Sequence, residues 1–541
     1  MQNKFLFGGL VVALAVAYPA ISYFHGSKLH TEVEQRVAKI NEYLHDELAL
    51  KSSLEAKLEQ SGIFSSQYII AIKNEDGTEV SLLQSDIEHG PFPLSKLKAG
   101  QFAPLSYAST VTLIRNKEAE KWFTSVDQEK ATNTQGQPLW LEYSVGYDQQ
   151  IRGKLDFAGL KLNYSDPKTK ESLEAAVGAG GLSFSVDKGF KNWYVDSYSD
   201  PVKLMFQPLG LSIDIDKGTG NIVYQSTENN SVSTVTSQIG GVTLVNHKDV
   251  DIKLGSLWSE FSASSEEKTI DLKSSSKYED ITVQGVNFGR LEEGTQYRRL
   301  DKSSAELLRQ IAGKIFVDVI RNADLIAAQN SCEADATFEK ILKPHIFPLS
   351  AAAISLFNQQ PEVQYGPVVL TNSAGRSKFK AELGLLLPSL NAANEQEMIL
   401  NAIGNLDIDV VFNENWATQI LWDTATLLAK ENNQPLPTEE DKKQLAKLMN
   451  DVKSALTSTQ LATTEGGGEG DIRFAIQAKP APGQSIRDTK EVIYNDKTYS
   501  VPEFLFMISE RAAEAEKRLK ELGVEQKLTA FMDRFNRKSV K

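Results

Sequence analysis

The residues that could do chemistry in this chain are six histidines, one cysteine and a few serines close to carboxylates or lysines. The histidines are His25, His30, His45, His89, His247 and His345, and the cysteine is Cys332. No two histidines are four apart around a glutamate, so the helical zinc-hydrolase pattern, which needs both imidazoles on one helix face, is absent. No Gly-x-Ser-x-Gly marks a nucleophile elbow, and no glycine-rich loop ending in Lys-Ser or Lys-Thr marks a phosphate cradle. Ser95-Lys96-Leu97-Lys98 has the Ser-x-x-Lys spacing that sets a nucleophile one helical turn from its base, but lacks the Ser-Asp-Asn and Lys-Thr-Gly segments that accompany it in enzymes. Asp214-Ile215-Asp216-Lys217-Gly218 opens like a calcium loop. Thr219 then stands where the sharp turn needs glycine, and Gln225 where a bidentate glutamate is needed. His89 beside Glu88 has acid–base potential, yet Gly90-Pro91-Phe92-Pro93 after it reads as a rigid strand exit. Cys332 has no partner for an intrachain disulfide and reads as a small apolar residue. No catalytic residue, cofactor or metal is expected from this set.

The elements that carry these residues begin with an apolar run at 5–24, FLFGGLVVALAVAYPAISYF, bounded by Phe5 and Phe24. Twenty helical residues rise roughly 30 Å, the thickness of a bilayer core. Lys4 and the amino terminus precede the run, which favours an N-terminus inside and the rest outside the cytoplasm. A cleaved signal peptide, cut near Ala17 after the small residues Ala13 and Ala15, is the rival reading; the run's continuation to Phe24 favours an uncleaved anchor. The net charge is −13, so the chain lacks the basic surface that nucleic acid requires. With one cysteine, stability must come from a packed core.

Beyond the anchor, Leu29, Val33, Val37, Ile40, Leu44 and Leu48 recur at helical spacing. This stripe either packs on the body or pairs with a second copy. From residue 63 the period becomes two, with strands expected at 67–72, 80–87 and 105–114. The alternation is most regular between 151 and 291: Leu160/Leu162, Leu182/Phe184/Val186, Leu211/Ile213/Ile215, Val242/Leu244, Ile252/Leu254, Ile270/Leu272, Ile281/Val283 and Val286/Phe288. Several of these strands open with glycine, as at Gly181, Gly210, Gly241 and Gly285, at irregular spacing. Helices are expected from Ser303, within 336–358, at 416–430 and at 438–456, with strands at 368–371, 378–387 and 406–412. A strand pair at 472–478 and 492–499 is followed by a helix capped by Ser500. The last helix carries Leu528, Phe531, Met532 and Phe535 on one face and ends in basic residues. It either docks on the body or a partner, or lies on an anionic membrane.

The fold class is therefore α+β: an N-terminal transmembrane helix, then a large curved antiparallel β-meander with helices packed against it, and a C-terminal helix. The divisions are a membrane anchor at 1–27, a helical stalk at 28–60, the meander at 61–300, a mixed helix and strand region completing the sheet at 301–500, and C-terminal helices at 501–541.

Gly62-Ile63-Phe64-Ser65-Ser66-Gln67 and His89-Gly90-Pro91-Phe92-Pro93 resemble two motifs of the YdgA-like family of Gram-negative bacteria. Asn372-Ser373-Ala374-Gly375 and the closing step from Tyr494 to Phe504 extend the likeness over nearly the whole chain. The resemblance implies a single-pass bacterial inner-membrane protein with its bulk in the periplasm, and self-association. It implies no reaction and carries no catalytic residue over.

The expectation is a non-enzymatic envelope protein, either a scaffold or a β-trough for acyl chains or a partner. Its apolar face would be lined by Leu182, Phe184, Leu211, Ile213, Ile215, Val242, Leu244 and Phe288. The partners expected are the bilayer, through 5–24, a second copy forming a dimer, and a lipid or envelope protein. The dimer seam would use the stripes at 29–48 and 528–535. A core closed by the chain's own helices, with no ligand, is the alternative reading of the same face, and an envelope hydrolase a third.

Overall fold

The computed structural model describes residues 37–38, 41–42, 52–62, 64–74, 77–89, 92–117, 119–128, 131–165, 172–207, 210–246, 250–322, 331–387, 394–464, 468–481 and 483–536. Every strand pairing that is described is antiparallel, and the chain divides into two compact units with interleaved sequences. The first takes the described residues up to Met205, with Lys217–Val235 and Ser303–Ala353; the second takes Phe206–Asp216, Thr236–Lys302 and Ile354–Lys541. The expected single meander over 61–300 is thus shared between two units.

In the first unit, Ser53–Ser61, Ser65–Lys73, Glu79–His89, Leu105–Leu113, Leu139–Gly146 and Ile151–Phe157 pair in sequence order. Gly180–Val186, Asn192–Ser199 and Gly218–Ser226 continue the sheet. The hairpin Leu160–Ser165 with Ser172–Val177 interrupts the order. The strands expected at 67–72, 80–87 and 105–114 are present. Residues 53–60, expected as the end of a helical stalk, form a strand instead. Leu54, Ala56 and Leu58 alternate with Glu55, Lys57 and Glu59, a period-two pattern with charges on one face, and Leu54 is buried. Of the 29–48 stripe only Val37 is described, and it packs against the core of this unit. The remaining stripe residues and the run at 5–24 lie outside the described residues. Among the described residues no helix is long and apolar enough to cross a membrane.

The core of the first unit is large. Tyr68, Leu82, Leu83, Ile87, Tyr107, Leu139, Tyr143 and Ile151 are each at most 3% exposed, and Trp122 and Phe123 pack on their cluster. Helices Lys302–Arg321 and Ser331–Leu342 also belong to this unit, the second carrying Cys332 in its first turn. The break near Pro344 is a short 3-10 turn, Lys343–His345.

In the second unit, Leu211–Ile215 pairs with Val242–Asn246, which pairs with Val250–Leu254. The long strand Thr269–Val283 takes both Val250–Leu254 and Ser256–Ser265 along one edge. From there the sheet proceeds in sequence order through Val286–Asp301, Glu362–Thr371, Arg376–Leu385, Ile403–Asn413 and Asp471–Ala478 to Glu491–Tyr494 and Lys497–Ser500. The last two fall within the segment expected at 492–499, where Asn495-Asp496 was expected to contribute a turn. Asn495 and Asp496 both take positive φ, 46° and 61°, making a two-residue hairpin of the kind those residues favour. Gln284 and Gly285 (φ 47° and 72°) turn Val283 into Val286 the same way.

Four helices of this unit pack together: Glu414–Glu431, Glu439–Ser458, Val501–Glu521 and Val524–Asn536. Ala417, Leu448 and Met449 are buried with Val524 and Leu528 against them; Ala425, Ala429 and Phe535 are buried with Phe531 and Met532. The apolar stripe of the last helix is therefore covered by the chain's own helices. It docks on the body. The basic end serves the same contact: the Arg534 guanidinium donates to the Asp441 carboxylate and lies 4.6 Å from the Phe535 ring centroid.

Asp441 also completes the cap of Glu439–Ser458. Its Oδ2 accepts from the Thr438 backbone N–H at 2.7 Å, and its own N–H donates to Thr438 Oγ1 at 3.3 Å. Burial raises the Asp441 carboxyl, but the Arg534 and Thr438 hydrogen bonds outweigh it and hold the group below its ordinary value. A depressed carboxyl stabilises above its unfolded pKa of about 3.9, and that contribution is lost as pH falls through the lower folded value. Amide exchange in Val524–Asn536 is expected to rise as pH drops below about 4, ahead of Glu414–Glu431. Asp441→Asn is expected to produce the same loosening at neutral pH, and Thr438→Ala to cost about 1 kcal/mol in urea unfolding.

Candidate functional site

Two places in the fold concentrate the residues singled out above. The first lies on the inner face of the first unit's sheet. Alternation puts Ser66, Tyr68, Ser85, Ile87, His89, Tyr107, Ser109, Val111, Leu141 and Tyr143 on that face, because cross-strand partners share a side. Ser66 is opposite Ile87, Ile87 opposite Ser109 and Ser109 opposite Tyr143, while His89 is opposite Tyr107. Ser66 Oγ and His89 Nε2 are 3.1 Å apart, so the two motifs 23 residues apart meet in one hydrogen bond. Ser85 Oγ and Ser109 Oγ are also 3.1 Å apart. Burial pushes the Tyr143 hydroxyl far above its ordinary value, against opposing hydrogen bonds with Ser109 and Ser85. Tyr107 and Tyr143 meet edge to face at 6.1 Å.

A serine within reach of an imidazole is half of a nucleophilic arrangement. Glu88, on the opposite strand face from His89, accepts from the Ser95 backbone N–H at 2.8 Å and the Ser95 hydroxyl at 2.7 Å. That bond pins the start of helix Leu94–Lys98 and removes Ser95 and Glu88 together from any triad. Ser66 is 5% exposed and faces packed tyrosines. The cluster is a polar seam buried within a core, and in it the Tyr68 hydroxyl has no hydrogen-bond partner among the described residues. Among the described residues no group of His, Cys, Asp or Glu has metal-holding geometry. Asp216 sits at a strand end, its N–H donating to the Gly241 carbonyl at 2.9 Å.

The second place is the sheet of the second unit. Ile213 is opposite Leu244, Leu244 opposite Ile252 and Ile252 opposite Val283; Ile215 is opposite Val242, and Val242 opposite Leu254. Three inter-strand steps of about 4.8 Å make the longer row roughly 14 Å wide. None of these residues is fully buried and none is fully exposed. Among the described residues from Leu211 to Asp301, Val286 is the one large apolar side chain that is fully buried. The face is apolar and paired, yet not sealed.

The eight residues expected to line one apolar face separate on this evidence. Phe184 is a buried member of the first unit's core and Leu182 packs against that core; neither lies on an open face. Leu211, Ile213, Ile215, Val242, Leu244 and Phe288 belong to the second unit and are half-buried. Ile252, Leu254 and Val283 extend the rows and were not nominated, although their alternation is visible in the sequence. The Ser66–His89 contact carries no sequence signal, because only strand register brings the two motifs together.

Protein YdgA of Escherichia coli (strain K12) is 25% identical over 225 residues, which is 39% of this chain and 43% of YdgA, so the chain matches less than half of that relative's length. An uncharacterized protein of Haemophilus influenzae is 22% identical over 334 residues, covering 58% of this chain and 86% of the relative. The uncharacterized protein YihF of Escherichia coli (strain K12) is 20% identical over 529 residues, covering 92% and 97%. The bacterial proteins of unknown function grouped as DUF945 match residues 2–478, and with most of its length inside that match the chain belongs to this family.

Proposed function

We propose that the protein is a non-enzymatic envelope protein, anchored in the inner membrane by residues 5–24, whose second unit shelters lipid acyl chains on its open apolar face. The observation that carries this reading is the near absence of fully buried apolar side chains among the described residues between Leu211 and Asp301. A sheet face of this width ordinarily finds a cover. Each methylene taken from water contributes about 0.8 kcal/mol, so about ten contribute roughly 8 kcal/mol. Association costs on the order of 4–15 kcal/mol. One acyl chain is therefore marginal, and a two-chain phospholipid is the fitting class. Self-association is part of the proposal, with a second copy as the competing cover of the same face.

A photo-crosslinking amino acid replacing Leu244 in the full-length membrane protein is expected to capture phospholipid. The same group replacing Thr243, on the opposite sheet face, is expected to capture several-fold less. Equal capture at both positions, or capture of a second subunit alone at Leu244, contradicts the lipid reading.

A further inference from the structure

The connections at one end of the first unit's sheet carry exposed large apolar side chains. Phe64 precedes Ser65–Lys73 and is 77% exposed; Phe92, Leu94 and Phe102, between Glu79–His89 and Leu105–Leu113, are 51%, 60% and 73% exposed. Tyr147 follows Leu139–Gly146 at 56%, and Phe190 follows Gly180–Val186 at 39%. The register puts these connections at the same end: Ser65 is opposite Glu88, His89 opposite Tyr107, Leu105 opposite Gly146, Val145 opposite Ile151 and Ile151 opposite Val186. Sheet pairing holds the strand ends in place, so the apolar tips form a patch on a rigid frame.

The charges of these connections are sorted. Glu88 accepts from Ser95, Asp148 from the Gln150 N–H at 3.0 Å, and Asp187 from the Lys191 N–H and the Asn192 side chain at 2.8 and 2.7 Å. These carboxylates face their own loops. Lys98, Lys188 and Lys191 are exposed and make no ion pair among the described residues. Aromatic tips with exposed lysines in two of their loops, on a protein of net charge −13, match the interface of an anionic bilayer, where aromatic rings sit at headgroup depth and lysines meet phosphates. The length of chain between the apolar run and this unit lets a bilayer reach either end of the sheet, and the apolar tips and lysines select this one. Val37 packs on this unit's core, and the twelve residues between Phe24 and Val37 reach at most about 45 Å.

We infer that this end of the first unit is a membrane-docking surface that lies on an anionic phospholipid bilayer. The inference rests on the anchored reading of residues 5–24, but not on the acyl-binding face. The test uses full-length protein carrying Cys332→Ser with a fluorophore on Phe64→Cys, Phe102→Cys or Lys117→Cys. Lys117 is exposed and follows the other end of Leu105–Leu113, about 30 Å away. Each protein is reconstituted into phosphatidylethanolamine–phosphatidylglycerol vesicles that contain a headgroup-depth nitroxide lipid. The expected result is quenching at positions 64 and 102 several-fold above that at 117, reduced at least two-fold by Lys98→Glu with Lys188→Glu and Lys191→Glu. Protein that floats with the vesicles but shows equal weak quenching at all three positions overturns the docking surface and leaves the anchor standing. Protein that does not float overturns both.

Discussion

Phe184→Asp is expected to unfold the first unit of the full-length protein. Phe184 is 9% exposed in the cluster that contains Tyr143, Leu155 and Val186. Truncating a buried phenylalanine costs about 3–5 kcal/mol, and leaving a carboxylate unpaired in its place adds several more. Whole domains are stable by roughly 5–15 kcal/mol, so the sum reaches the stability of the unit. A second variant probes the same contact without charge. A Cβ on Gly153 would stand 2.2 Å from Phe184 Cζ and 2.7 Å from the Glu142 carbonyl oxygen, the latter being backbone that cannot swing away. Gly153→Val is thus expected to destabilise by more than the roughly 1–3 kcal/mol usual for overpacking. Amide exchange of Leu139–Gly146 and Ile151–Phe157 reports both. Native-like protection in Phe184→Asp would remove Phe184 from the core and return it to an open face.

Ile213→Asp is expected to do the opposite: fold normally and lose lipid. Ile213 lies in the middle of its row, half-buried, between Leu211 and Ile215 along the strand and opposite Leu244. A polar residue at a half-exposed strand position changes stability by about 1 kcal/mol. The same carboxylate facing an acyl chain must lose its hydration, a cost of several kcal/mol. At 1.4 kcal/mol per tenfold, lipid retention is expected to drop at least tenfold. Unchanged thermal unfolding with unchanged lipid content would show that nothing apolar occupies that row.

The contrast between these two variants marks where the sequence was readable. Period-two alternation located the strands at Leu182–Val186 and Leu211–Ile215 equally well, since both show apolar and polar residues in turn. It could not tell that Phe184 meets a closed core and Ile213 does not, because sealing depends on which distant segments fold back over a face. The cap at Ser500 and the helix from Glu439 were legible because capping is local: Ser500 accepts from the Glu503 N–H three residues away. The strand Ser53–Ser61 was hidden by the helical period running up to Leu48, which extended a helix over a segment whose own alternation is two. The Ser66–His89 contact and the shared sheet end of Phe64, Phe102, Tyr147 and Phe190 are products of register, which a single sequence does not encode in any local pattern.

Native mass spectrometry of the full-length protein, gently extracted from membranes, tests the central claim most directly. The expected result is a subunit mass that includes residues 5–24 and stoichiometric phospholipid adducts, which Ile213→Asp removes without altering the charge-state distribution of the folded protein. A bare assembly, with the apolar face closed by its own helices or by its twin and no adducts under any extraction condition, would contradict it.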